Sequence, residues 1–133
     1  MKMPALVLSL VFSFFLPLFA QADSAAPELL VVKLHADWCG SCLVLGPRID
    51  AAREEAGLDE SSALFVTLDL TDEATKHQSA LLAHSLGLEA FFTSNRGKTG
   101  FAILVDAASG EIKGRLTKDM SAENIAAAIR AEL

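Results

Sequence analysis

Along the chain the spacing of apolar residues changes several times, and each change marks an element. Leu29 to Leu34, LLVVKL, is rich in branched apolar residues with one polar interruption at Lys33, the pattern of a buried strand. From Cys42 the spacing switches to steps of three and four. Cys42, Leu45, Gly46, Ile49, Ala52 and Ala56 share one helical face, while Arg48, Glu54 and Glu55 fall elsewhere. Pro47 lies inside this helix, where it removes a backbone donor and clashes with the carbonyl four residues back, so a kink near Leu43 is expected. Gly57 ends the helix.

Ala63 to Leu70, ALFVTLDL, predicts a second strand. Thr71 or Asp72 can cap a helix over about Glu73 to Leu86, stopped by Gly87. Leu88 to Lys98 reads as a less regular connection, with Asn95 and Gly97 as turn residues. Phe101 to Val105, FAILV, is an unbroken apolar run and predicts a central strand. After the turn Ala107-Ala108-Ser109-Gly110, Glu111 to Leu116 completes a hairpin. Ser121 caps the last helix, which places Ile125, Ile129 and Leu133 on one face, with Glu123 near its positive end and Arg130 near its negative end. The order β-α-β-α-β-β-α describes an α/β domain with a central mixed sheet flanked by helices. Strands joined by helices are expected to pair in parallel, and the hairpin to add antiparallel strands. In such sheets ligand chemistry sits where strands end and helices begin. Cys39 and Cys42 occupy that place, after the first strand and on the opening turn of the first helix.

The first 22 residues follow a different logic. Lys2 supplies a positive n-region, Ala5 to Leu16 is almost wholly apolar, and Ala20-Gln21-Ala22 forms an A-x-A cleavage site, the layout of a secretory signal. The apolar run is short for a membrane span, and Pro17 interrupts its continuation. A cleaved signal over residues 1–22 leaves one domain at 23–133, long enough for a real core without disulfide staples. The full chain carries a net charge of −6; removing Lys2 leaves ten Lys and Arg against seventeen Asp and Glu, or −7. With no basic cluster, nucleic-acid binding has no electrostatic basis. No further linker, repeat or low-complexity segment occurs.

The only two cysteines stand in HADWCGSC, residues 35–42. The spacing admits a redox disulfide, half of a metal site or a structural staple. Export favours persistent disulfides. A bridge across so short a loop, however, removes little entropy from the unfolded chain.

VVKLHADWCGSCLVLGP, residues 31–47, resembles the thioredoxin family: a strand, then Ala-x-Trp-Cys-Gly-x-Cys, then a proline five residues after the second cysteine. Ala36, Trp38, Cys39, Gly40, Cys42 and Pro47 fall in register with that pattern. The resemblance implies a thioredoxin fold, without counterparts of the first strand and helix of full-length thioredoxin. It also implies thiol–disulfide exchange, and the exported context resembles periplasmic thioredoxin-like proteins of Gram-negative bacteria. A helix N-terminus favours a thiolate, so Cys39 is expected to attack. Cys42, a turn deeper, is expected to resolve the mixed disulfide. Gly40 and Ser41 are small enough to let the turn close. Trp38 is expected to wall a substrate groove.

Three positions depart from the family pattern. Lys33 stands where thioredoxins carry a buried Asp, six residues before the first cysteine. It is a candidate for redox tuning, or its stem can carry the amine to the surface. Thr99 takes the matching position for the family's cis-proline; non-proline cis bonds are costly, so a trans bond is expected there. Its backbone can pair with a substrate strand, and its hydroxyl adds a donor near the sulfurs. His35 replaces another aromatic and is either a packed ring, a base or a third ligand.

A structural zinc site needs four Cys or His ligands, and Cys39, Cys42 and His35 supply three at best. His77 and His84 are two helical turns apart and do not make a ligand pair. Soft thiolates suit Cu(I), so a copper chaperone or metal-site assembly factor using Cys39, Cys42 and His35 is the alternative. The favoured expectation is a monomeric periplasmic thiol–disulfide oxidoreductase that needs neither metal nor cofactor. Protein thiols and disulfides would be its substrates. The WCGxC core is closest to the reducing branch of the family, which implies a reductant. With no second cysteine pair, electrons must come from a separate donor, for which a membrane reductase would serve.

Overall fold

The computed structural model describes residues 26–133. The expected signal at 1–22 therefore lies outside the described residues. Eight elements follow in order: β1 (Leu29–His35), α1 (Gly40–Ala56), β2 (Ala63–Asp69), α2 (Glu73–Ser85), α3 (Glu89–Ser94), β3 (Phe101–Asp106), β4 (Ile112–Thr117) and α4 (Ala122–Arg130). The four strands form one mixed sheet in the order β2-β1-β3-β4. Among the described residues no helix is long and apolar enough to cross a membrane.

Alternation along β1 divides the core in two. Leu29 and Val31 face α1 and α4, where they meet Leu45, Ile49, Ile125 and Ile129. Leu30, Val32 and Leu34 face the other way, towards Ala83 of α2, Leu88 and Phe92 of α3. β1 is thus covered on both faces, which is why its sequence reads as a continuous apolar run. Truncating Ile125 or Ile129, both fully buried, would cost about 2–5 kcal/mol.

Local chemistry fixes the helices. Cys39 is the N-cap residue of α1, and Gly57 closes that helix in the left-handed region at φ 62°. Asp72 and Thr75 form a reciprocal capping box at the start of α2. Ser121 Oγ accepts from the Asn124 amide at the start of α4. Arg48 donates to the Met120 carbonyl at 3.0 Å, and Arg130 to the Glu55 carbonyl at 3.1 Å. These two arginines tie α1 to both ends of α4.

Three expectations are corrected. The segment after Gly87 is not irregular, because Glu89–Ser94 forms the short helix α3 with Phe92 buried against the sheet. β3, although reached through helices, runs antiparallel to β1. Only β2 is parallel to it. Leu133 lies beyond the end of α4 and is 45% exposed, so the apolar stripe of that helix ends at Ile129.

Candidate active site

The site lies at the C-terminal end of β1, where the chain leaves the sheet and turns into α1. Ala36, Cys39 and Cys42 form a small buried cluster of their own there. Cys39 and Cys42 are disulfide-bonded, with their Cα atoms 5.3 Å apart. Cys39 is 6% exposed and Cys42 2%, so the first cysteine is the more accessible of two nearly buried residues. The amide of Cys42 donates to Cys39 Sγ at 3.2 Å. The same amide, in the first turn of α1, also reaches the Cys39 carbonyl at 3.1 Å. Its contact with the sulfur would stabilise a Cys39 thiolate when the disulfide opens. Cys42 Sγ lies 3.7 Å from the Leu34 carbonyl. On reduction the Cys42 thiol would have that oxygen as an acceptor.

Trp38 is 62% exposed. Its indole N–H donates to the Thr71 carbonyl at 3.1 Å, which holds the ring against the turn between β2 and α2. The same threonine accepts from the Asp37 amide at 3.0 Å through Oγ1. Its hydroxyl and amide both donate to Asp69, at 2.6 and 2.9 Å. Thr71 therefore fastens the turn before the disulfide to the neighbouring strand end. In the sequence it is visible only as a candidate helix cap.

His35 points towards Asp37, with Nε2 3.2 Å from Oδ1, and its Nδ1 is buried without a partner. Among the described residues no three His, Cys, Asp or Glu side chains gather into a metal site. His35 thus pairs with Asp37 rather than completing a ligand set with the cysteines, and the copper alternative is not favoured. His84 bonds Glu89. His77 stands apart from the disulfide, in a cavity beside α2 and α3.

The loop before β3 closes over the disulfide, and Gly100 makes the contact. A Cβ built there would stand 2.6 Å from Ser41 Cβ and 3.3 Å from Cys39 Sγ, and φ at Gly100 is +84°. Its amide donates to the Leu34 carbonyl at 3.0 Å. Thr99, half-buried, immediately precedes this contact. Among the described residues no peptide bond is cis. Gly100 escapes notice in the sequence because a glycine before a strand reads as an ordinary turn.

Lys33 lies on the same face of β1 as Leu29 and Val31, beneath α1. Its Nζ is 3.8 Å from where a Cβ on Gly46 would sit. Gly46 is one turn along α1 from Cys42, on the same buried side. Gly40 is exposed, and nothing stands within 4 Å of a Cβ added to it. Pro47 lies within α1 and leaves the Leu43 carbonyl without its usual donor. Leu43, just after the disulfide, is 66% exposed. It had a sequence signal, being apolar yet off the core face of the helix.

No protein-family model matches the chain. A Schizosaccharomyces pombe protein provisionally named a protein disulfide-isomerase is 38% identical over 48 residues, which is 36% of this chain and 9% of that protein's length. Among solved structures, thioredoxin-2 of the malaria parasite matches with a TM-score of 0.51 and 17% identity, covering 78% of this chain and 82% of its own. A thioredoxin-like protein from Parabacteroides distasonis matches with a TM-score of 0.50 and 9% identity, covering 77% of this chain and 80% of its own. At these identities the likeness concerns architecture: the chain has the thioredoxin fold, with a CxxC disulfide at the start of α1.

Proposed function

We propose that this protein is a thiol–disulfide oxidoreductase acting on polypeptide substrates. The observation that carries the reading is the Cys39–Cys42 disulfide at the N-terminus of α1, with the Cys42 amide on Cys39 Sγ. In the reduced protein the Cys39 thiolate attacks one sulfur of a substrate disulfide, and the other substrate sulfur leaves as a thiolate. Cys42, deprotonated, then attacks Cys39 Sγ and expels the first substrate sulfur. The protein's two cysteines are oxidised by two electrons and the substrate disulfide is reduced; the Cys42 proton and one from solvent end on the two substrate thiols.

The surround suits a protein substrate. Trp38 and Leu43 are exposed apolar side chains on either side of the cysteines. An extended substrate segment can cover them while the Gly100 loop leaves the sulfurs reachable along bare backbone. The direction we favour is reduction, on the resemblance of the WCGSC segment to the reducing branch. The leader pattern at 1–22 supports work in the periplasm. There the protein would need a separate electron donor such as a membrane reductase, because it has no second cysteine pair.

The test is a trapping experiment. Cys42→Ser should accumulate a covalent, dithiothreitol-sensitive adduct with a disulfide-containing polypeptide, because the resolving thiol is gone. Cys39→Ser should accumulate far less. Equal trapping by both variants, or by neither, would refute the assignment of roles.

A further inference from the structure

A second concavity lies at the same edge of the sheet, and its chemistry differs from that of the molecule as a whole. It has a volume of about 410 Å³ and is lined by Lys76 and His77 of α2, by Arg96, and by an apolar floor that includes Leu70 and Phe92. Glu73 also lines it and pairs with Lys76 at 2.7 Å. Arg96 forms no ion pair among the described residues. Lys76 and Glu73 thus offset each other, which leaves the Arg96 guanidinium as the excess charge of the lining, with the His77 imidazole beside it. The chain as a whole carries a net charge of −6, so this cation surplus is local.

The position of the cavity connects it to the disulfide. Leu70 follows directly on β2, and its amide donates to the His35 carbonyl at 2.7 Å. The next residue, Thr71, holds the Trp38 indole. Gly97, which also lines the cavity, belongs to the loop that continues through Thr99 to Gly100, against Cys39. The segments that flank the sulfurs therefore also border the cavity.

We propose that this cavity is a specificity subsite for an acidic side chain of the polypeptide substrate, near the cysteine that reacts with Cys39. A carboxylate fits the donor set. Arg96 offers a planar fork of N–H groups with no carboxylate on it among the described residues, and Lys76 and His77 add further donors. The apolar floor at Leu70 and Phe92 would pack against the methylene carbons of a Glu. An extended substrate advances about 3.3 Å per residue, so a scan along the peptide locates the acid relative to the reacting cysteine. This inference rests on the oxidoreductase reading above and adds a sequence preference to it.

The test uses the reduced protein from Asp23 to Leu133 and synthetic peptide disulfides. Glu, Gln or Lys is placed in turn at each position on either side of the reacting cysteine, and exchange is followed through Trp38 fluorescence. At the best position the Glu peptide should react roughly two to five times faster than the Gln peptide, the size expected of one partly exposed ion pair, and the Lys peptide more slowly. In Arg96→Gln the Glu-to-Gln rate ratio should fall towards one, and in Arg96→Lys much of it should survive. A ratio of one at every position in the unaltered protein would overturn the subsite, as would a ratio that persists in Arg96→Gln. If no peptide reacts at all, the oxidoreductase reading itself fails; equal reaction of all of them removes the subsite alone.

Discussion

Gly100 meets Ser41 across the mouth of the site, so closely that a Cβ on the glycine would stand 2.6 Å from the Ser41 Cβ. The loop before β3 therefore approaches the CxxC turn as bare backbone. The Gly100 amide anchors it to the Leu34 carbonyl, the same oxygen that lies 3.7 Å from Cys42 Sγ. One carbonyl of β1 thus links the closing loop and the deeper sulfur.

Gly100→Ala should damage both stability and exchange. The left-handed backbone alone would cost about 1–2 kcal/mol for a residue with a Cβ. Beyond that, the added carbon must push the CxxC turn aside, because Ser41 Cβ is not the end of a flexible chain. Gly110→Ala is the control. Gly110 has φ +73° but open space around it, so its alanine variant carries the backbone strain without the contact. Urea titration should find both variants weakened, while disulfide-exchange rates should fall only in Gly100→Ala. Equal exchange rates in the two variants would show that the contact has no functional weight.

Lys33 places a positive charge under α1, one turn from Cys42. A cation near the cysteines favours their thiolates and so stabilises the reduced protein. Lys33→Met should therefore make the protein a stronger reductant, with a midpoint more negative by roughly 10–30 mV, and Lys33→Arg should restore most of the difference. Redox titration of the three proteins against dithiothreitol decides it. An unchanged or more positive midpoint in Lys33→Met would refute a tuning role.

Asp59 governs part of the acid response. Its carboxylate takes hydrogen bonds from the Ser61 and Ser62 hydroxyls and amides. These bonds, the Ser61 hydroxyl first among them, lower its pKa from 3.8 to about 2. A folded-state pKa below the unfolded one stabilises the fold above the unfolded value. That contribution is lost as the pH falls from 3.8 through about 2. Asp59→Asn should be less stable than the parent at about pH 6, and the gap should shrink towards about pH 2. Urea midpoints at the two pH values test this, and a gap that is constant with pH would contradict it.

Much of the site was legible because its elements are strongly patterned. The branched run Leu29–Leu34, the Cys42–Ala56 helical face and the closing Gly57 each name their element without help from the rest of the chain. The cysteines inherit their place from that frame. α3 was not legible: six residues do not complete two helical turns, and its N-cap Leu88 makes no side-chain capping bond. The direction of β3 was hidden as well, since hydrophobic periodicity carries no sense of direction and two helices intervene before the strand returns. The Gly100 contact and the Thr71 bonds join residues far apart in the chain. Nothing in a local window of sequence encodes them.

The central claim is that Cys39 and Cys42 form a working redox pair. Equilibrating the protein from Asp23 to Leu133 with dithiothreitol or glutathione buffers, and counting free thiols alongside Trp38 fluorescence, tests it most directly. The account predicts one reversible two-electron transition with a midpoint near about −250 mV or lower. A midpoint near about −120 mV would reverse the proposed direction of electron flow. Thiols that show no reversible transition would contradict the account itself.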